Sequence, residues 1–295
     1  MANLKEVRIR IKSVINTQQI TSAMKMVSAS KLRRAQDAIV RMRPYAQKLT
    51  EIQQNLSSGL DDNNNGIYSV QRKEEKILII TETSNKGLCG SFNMNVIKKT
   101  NELVSTTYKE QYEKGNVFLC CLGKKGAEYF SRRKFNVVEV NNELFDKPSF
   151  ENALPVAEKI MQSFVDGKYD KIVIVYNQFK NAAVQYIQVE QFLPILPAVN
   201  ENINKKASNT DYIFQPGKAE ILNELMPKAL KVQFYKTLLD SYASEHGARM
   251  TAMHKATDNA SDLLKELRIQ YNKVRQAVIT NEILEIVSGA NALKG

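Results

Sequence analysis

The sequence predicts an α/β protein in which the N- and C-terminal segments form a long antiparallel two-helix coiled coil, with an open, mostly parallel α/β sheet domain between them. Three patterns carry this expectation. Residues 4–56 contain one proline and no glycine, and their apolar positions step by three and four. Short continuous apolar runs alternate with helical stretches through the middle of the chain. From Met250 to Val278 a seven-residue period holds without a break.

The first segment, residues 1–56, reads as one helix of a shaft. Leu4, Val7, Ile11 and Val14, then Ile20, Met24 and Val27, and later Ala35, Ile39 and Met42 mark an apolar face. Gln18 and Thr21 interrupt that stripe in its middle. Pro44 predicts a kink or the end of the best-formed part. Residues 57–75 read as a loop and linker, because Ser57 to Gly66 is polar and rich in Asn, Asp and Gly.

Residues 76–210 follow a different grammar, that of a Rossmann-like α/β domain. Ile77–Ile80, Val117–Cys121 and Ile172–Tyr176 are short apolar runs, as expected of strands buried on both faces. Helical stretches lie between them at about 91–114, 124–134 and 150–167. Val184–Phe192 alternates and reads as a half-buried strand. Strands alternating with helices argue for an open, mostly parallel sheet covered on both sides.

The last segment, residues 211–295, is the second shaft helix. Pro227 suits a first helical position, and only Gly247 interrupts the run from there to Ser288. Met250, Met253, Thr257, Ala260, Leu264, Leu267, Tyr271, Val274 and Val278 step alternately by three and four. A seven-residue period held that long imposes a left-handed supercoil with a partner helix. At ~1.5 Å per residue the two helices span roughly 90 Å and 75 Å, more than the diameter of the domain between them. They are therefore expected to project from it rather than to form a compact bundle.

Charge and composition exclude several classes. A hydrophobic content of 43% with 12 Gly and 7 Pro argues against a disordered or collagen-like chain. No apolar run approaches the roughly 18 to 20 residues that span a bilayer. The N-terminus lacks an apolar core and a cleavage site, so neither a signal peptide nor an organellar leader is expected there. Of the net charge of +11, residues 1–56 supply +8, from eleven basic and three acidic side chains. Such a helix could face nucleic acid, an anionic membrane or an acidic protein surface, or simply water. Residues 1–44 hold no aromatic side chain for base stacking, which weighs against nucleic acid.

Candidate chemical sites are few. Gly87-Leu88-Cys89-Gly90 follows the first strand and precedes a helix, where a phosphate loop would sit, but neither G-x-G-x-x-G nor G-x-x-x-x-G-K-[ST] occurs. A tight turn opening a helix is the expected reading. Cys89, Cys120 and Cys121 have no metal-ligand spacing, and His246 and His254 lie far from them in sequence, so no metal or cofactor is expected. No histidine lies near a Ser or Cys nucleophile, and G-x-S-x-G is absent, so the chain is not expected to catalyse a reaction. The C-terminal tip is more informative. Between Arg275 and Lys294 the only charges are Glu282 and Glu285, within an otherwise apolar stretch that reaches Ala290. A helix end that is apolar on most sides calls for an enclosing partner.

The residues at both ends carry a family resemblance. Thr17-Gln18-Gln19-Ile20-Thr21-Ser22-Ala23-Met24-Lys25-Met26-Val27-Ser28-Ala29-Ser30-Lys31-Leu32 resembles the N-terminal signature of the gamma subunit of F-type (rotary, proton-translocating) ATP synthases of bacterial type. Ala248–Met253, Asp258-Asn259-Ala260, Tyr271–Glu282 and Glu285–Ala290 resemble its C-terminal signature, and Gly87–Gly90 a third motif. The resemblance implies a non-catalytic central-stalk rotor, one copy per complex. It would turn inside a ring of alpha and beta subunits, with its α/β domain forming the foot, together with the epsilon subunit, on the c-subunit ring. It would couple proton-driven rotation of that ring to ATP synthesis on the beta subunits, from the cytoplasmic face of the bacterial plasma membrane and peripheral to it.

The same resemblance implies residue roles. Arg275, Gln276, Thr280 and Glu282 would form the catch on a beta subunit, and Met24 and Lys25 would pass its acidic loop. Val278, Ile279, Ile283, Leu284, Ile286 and Val287 would turn in an apolar sleeve. The loop at Tyr212 and Gln215 would face the c-ring, although Gln215 stands where a glutamate is often found. Asn85 and Lys86 replace the common Asp and Arg before the glycine turn. Two readings of other classes compete: a basic coiled-coil adaptor, and a nucleotide-dependent enzyme built on the α/β domain.

Overall fold

The computed structural model describes residues 4–57, 67–195 and 218–292. Twelve elements occur among them: α1 (Leu4–Ser57), β1 (Ile77–Glu82), α2 (Phe92–Ser105), α3 (Lys109–Glu113), β2 (Val117–Leu122), α4 (Lys124–Arg132), β3 (Asn136–Asn141), α5 (Glu143–Asp146), α6 (Phe150–Val165), β4 (Lys171–Phe179), β5 (Gln185–Leu193) and α7 (Lys218–Ala292). They fall into two units, one of residues 1–29 with 249–295 and one of residues 30–248.

The first unit is an antiparallel helix pair. Two contacts set its register: the Arg8 guanidinium donates to the Tyr271 hydroxyl at 2.9 Å, and Thr21 Oγ1 lies 2.9 Å from Thr257 Oγ1. On α7 the seam follows the expected heptad, with Met253, Ala260, Leu264 and Leu267 buried and Tyr271 and Val274 half-buried. On α1 the seam follows the expected stripe through Leu4, Val7, Ile11 and Val14 and then departs from it. Ile20 and Val27 are about 60% exposed, whereas Thr21 and Ser28 are buried at 8% and 3%. The seam runs through Leu4, Val7, Ile11, Val14, Gln18, Thr21, Lys25 and Ser28, an unbroken alternation of three and four.

Polar residues can hold these positions because their hydroxyls are satisfied locally. Thr21 donates to the Gln18 carbonyl at 3.0 Å, and Ser28 to the Met24 carbonyl at 2.8 Å. Thr257 Oγ1 is also 2.8 Å from the Met253 carbonyl. Small side chains let the helix axes stay close, and every buried polar atom here finds a partner.

The second unit contains a five-stranded sheet of order β3-β2-β1-β4-β5. β1 pairs in parallel with β2 and β4, β2 pairs in parallel with β3, and β5 runs antiparallel to β4. All six residues of β1 are buried, as its apolar run predicts. One face is closed by Val96, Ile97 and Val104 of α2 and by Ala127 and Phe130 of α4 over Ile77, Ile79, Leu119, Cys121, Val173 and Val175. On the other face the first part of α7 meets β1, β4 and β5 through side-chain bonds and the Phe192–Phe234 ring pair, centroids 6.1 Å apart.

The strand β3 was not expected from the sequence. Cα pairing passes from Leu119–Val137 to Cys120–Glu139, so Val138 is the extra residue of a bulge. Burial along β3 still alternates, but Val138 and Val140 lie on its exposed side and Glu139 and Asn141 on its half-buried side, so hydrophobicity does not follow the alternation. Pro227 does not open α7; the helix begins at Lys218 and carries Pro227 inside. Pro44 likewise sits inside α1, which continues to Ser57. Gly247 has a packing reason: a Cβ there would stand 3.2 Å from the Cα of Ala182 in the β4–β5 turn.

Candidate functional site

In this sheet order the strand connections reverse direction between β1 and β4, where open α/β sheets place a ligand beyond the strand ends. Here that region is built from packed protein groups. Gly126 N donates to Thr83 Oγ1 at 2.9 Å, and Lys125 N donates to the Ser84 carbonyl at 3.1 Å. A Cβ on Gly123, whose φ is +100°, would fall 1.9 Å from the Thr83 carbonyl oxygen. Asn177 Nδ2 donates to the Phe92 carbonyl at 3.2 Å, and the Ser244 hydroxyl donates to the Asn177 carbonyl at 2.9 Å. The first amides of α4 therefore already have protein acceptors, and α7 is fastened to the end of β4.

The turn Gly87–Gly90 joins β1 to α2 as a tight turn, with positive φ at Leu88 (62°) and Gly90 (58°). Cys89 is buried at 2%, while Leu88 is held out at 64% exposure. Asn85 and two residues that the sequence motif did not single out, Ser84 and Asn93, hold the turn. Asn93 Oδ1 accepts from Ser84 N at 2.8 Å, and Asn93 Nδ2 donates to Cys89 Sγ at 3.2 Å and to Ser84 Oγ at 2.8 Å. Ser84 Oγ donates to the Lys86 carbonyl at 2.6 Å. Asn85 Oδ1 accepts from Lys124 N at 3.1 Å while its Nδ2 donates to the Asn142 carbonyl at 2.6 Å. The second bond needs an amide, which gives the departure from Asp at this position a physical reason.

The thiols of Cys120 and Cys121 are inert structural groups. Burial pushes Cys121 up to about 11, and burial together with Glu139 raises Cys120 further. Neither forms a reactive thiolate near neutral pH.

The two shaft-helix sites lie in the first unit. Met24 and Lys25 are half-buried, with Lys25 at a seam position where its alkyl stem can lie along the pair while the ammonium reaches water. On α7, Arg275, Gln276, Thr280 and Glu282 are all exposed. Arg275 and Glu282 are seven residues apart, about 10 Å along one helix face, too far for an ion pair. Among the described residues Arg275 makes no hydrogen bond or ion pair, and Thr280 Oγ1 donates to the Gln276 carbonyl at 2.9 Å.

The register of the helix pair places Leu4 opposite about residue 275. From there α7 continues to Ala292, roughly 25 Å at ~1.5 Å per residue. On this stretch Val278, Ile279, Ile283, Leu284, Ile286 and Val287 are 37–71% exposed. Among the described residues the apolar tip is therefore exposed surface of the unit, and it begins opposite Leu4, the first residue of α1. Tyr212 and Gln215 lie outside the described residues, and their proposed c-ring contact has no structural description here.

Comparisons with known proteins agree along the full chain. A family model described as ATP synthase matches residues 3–293. The chain is 55% identical over 295 residues to the ATP synthase gamma chain of Christiangramia forsetii, covering all of both chains, and equally so to that of Flavobacterium johnsoniae. It is 43% identical over 294 residues to the ATP synthase gamma chain of Chlorobaculum tepidum, again covering all of both. Its fold is similar to a chain of the Euglena gracilis mitochondrial ATP synthase rotor, with TM-score 0.66 and 21% identity over 94% of this chain and 98% of that one. It is also similar to a chain of the Tetrahymena thermophila mitochondrial ATP synthase central stalk and c-ring, with TM-score 0.57 and 24% identity over 80% and 99%. A helix pair with a bare apolar overhang, joined to a mostly parallel sheet, thus meets a match over the whole length: this chain belongs to the ATP synthase gamma chain family.

Proposed function

We propose that the chain acts as a non-catalytic rotor whose helix pair turns within a ring of alpha and beta subunits, while its sheet unit sits with an epsilon subunit on a c-subunit ring. The observation that carries this reading is the overhang of α7. About 17 residues extend past the paired seam with their apolar side chains exposed, and Arg275, which has no hydrogen-bond or ion-pair partner among the described residues, stands at the start. An apolar sleeve around the tip makes few directional bonds and so opposes rotation little. A guanidinium beside it can hold a carboxylate bidentately in one orientation and release it in another. Coupling requires such differential contacts, since a shaft that met every beta conformation equally would shift none of them.

Two further observations support the reading. Beyond β1 and β4 the polar groups of Thr83, Asn177 and Ser244 are bonded to other groups of the chain, including the Gly126 amide of α4, which favours a mechanical role for the sheet unit over a nucleotide site. No helix among the described residues is long and apolar enough to cross a membrane. A peripheral position on the cytoplasmic face of a bacterial plasma membrane completes the proposal.

The test is reconstitution of the complete synthase with Arg275→Ala and, separately, with the chain ended after Arg275. Both forms are expected to assemble and to lose ATP-driven proton pumping, the truncation more severely. Undiminished proton-coupled synthesis by a chain cut back to Met250 would overturn the rotor reading.

A further inference from the structure

Glu82, the last residue of β1, has none of its surface exposed. The Thr237 hydroxyl on α7 lies 2.9 Å from its Oε1 and 2.9 Å from the Phe234 carbonyl. Its Oε2 is buried without a hydrogen-bond partner, and so is the Ser241 hydroxyl one helical turn further along α7. The charges acting on Glu82 are negative: Asp240 on α7 and Glu190 on β5. Glu190 is held in turn by the Tyr176 hydroxyl of β4 at 2.9 Å and by Gln233 Nε2 of α7 at 2.6 Å. The Thr237 and Ser241 hydroxyls that face Glu82 favour its ionised form, but burial of the whole carboxyl outweighs them, and Asp240 and Glu190 add to the burial. A proton on Oε2 turns that atom into a donor facing a hydroxyl with free lone pairs.

We propose that Glu82 is a proton-binding site of the sheet unit, neutral while α7 is docked on the sheet, and that loss of its proton loosens residues 233–244 of α7 from β1 and β5. Burial raises this carboxyl from its ordinary 4.5 to about 8, so the docked state keeps its proton through neutral pH while an opened state does not. Tyr176 stays neutral throughout, raised by burial and by Glu190, and goes on donating to Glu190. Between pH 4.5 and about 8 the docked state thus binds one proton more than the opened state. Its advantage is complete below that window, falls about tenfold per pH unit within it, and levels off above it.

The experiment is amide hydrogen exchange on the full chain from pH 5.5 to 9.5, with protection factors followed at residues 237–244 in wild type and in Glu82→Gln. Wild-type protection is expected to fall about tenfold per pH unit up to about pH 8 and then flatten, while the glutamine variant stays level. A flat wild-type profile, or the same slope in both proteins, would overturn the proposal. Should the variant not fold, the carboxyl ¹³C shift of Glu82 in the wild type decides. A midpoint near 8 supports the proton site, and one below about 5.5 refutes it.

Discussion

Leu267 and Leu284 offer the same substitution on the same helix in opposite surroundings. Leu267 is 2% exposed in the seam, whereas Leu284 is 58% exposed on the overhang. Leu267→Ala removes packed methyl groups and leaves a cavity, a change that costs about 2–5 kcal/mol in the isolated chain. Leu284→Ala removes little that is packed and should stay within about 0.5 kcal/mol of wild type in the same measurement. Its effect belongs to assembly. Complete burial of a leucine contributes about 1.5–3 kcal/mol, and a little over half of that side chain remains to be covered, so ~1–2 kcal/mol of binding is at stake. That is about a 5- to 30-fold loss of affinity for a preformed alpha–beta hexamer. Urea unfolding of the free chain and titration onto the hexamer separate the two effects. Equal destabilisation of the free chain by both variants would refute the overhang as an open surface. Unchanged affinity for Leu284→Ala would refute the sleeve.

Two glycines in helices should respond with opposite signs. Gly126→Ala gains about 1 kcal/mol of helix propensity but sets a Cβ 2.8 Å from Thr83 Oγ1 and 3.0 Å from its Cγ2, so the melting temperature is expected to drop. Gly289→Ala meets open space and is expected to raise helicity at 222 nm; a loss there would contradict the geometry of the tip. The Thr21→Val, Thr257→Val double variant exchanges a seam hydrogen bond for apolar contact. Its stability should fall within about 1 kcal/mol of wild type, since no backbone group is left without a partner. A loss above about 3 kcal/mol in chemical denaturation would show that the polar layer itself holds the pair together.

The heptad of α7 was legible because its seam residues are mostly apolar and the partner helix buries that same face. The α1 seam was legible only in its first half, through Leu4, Val7, Ile11 and Val14. Its central positions are Gln18, Thr21, Lys25 and Ser28, and the apolar Ile20 and Val27 beside them point outward. Hydrophobic periodicity finds a seam only where the seam is hydrophobic, and here locally satisfied hydroxyls stand in for methyl groups. The strand β3 was hidden because Val138 and Val140 face outward while Glu139 and Asn141 are half-buried, and the start of α7 by a proline that the helix accommodates inside its length.

The glycine turn was found by its motif, and Asn85 by its departure from that motif, but the bonds that shape the turn were not. Asn93 and Asn85 are ordinary amides until the fold brings Ser84, Cys89, Lys124 and Asn142 within bonding distance. Glu82 could not be singled out at all, because its hydroxyl partner Thr237 lies 155 residues away.

By itself the sequence determined the two long helices, the buried parallel strands, the basic N-terminal segment and the apolar C-terminal tip. Each follows from the spacing of residue types along a single element, a local property. Only the tertiary structure decided which face of α1 meets α7, where their pairing ends, what fills the region beyond β1 and β4, and that a carboxyl lies buried beneath α7. Those outcomes depend on which distant groups are brought together and deprived of water, and linear spacing carries no record of that.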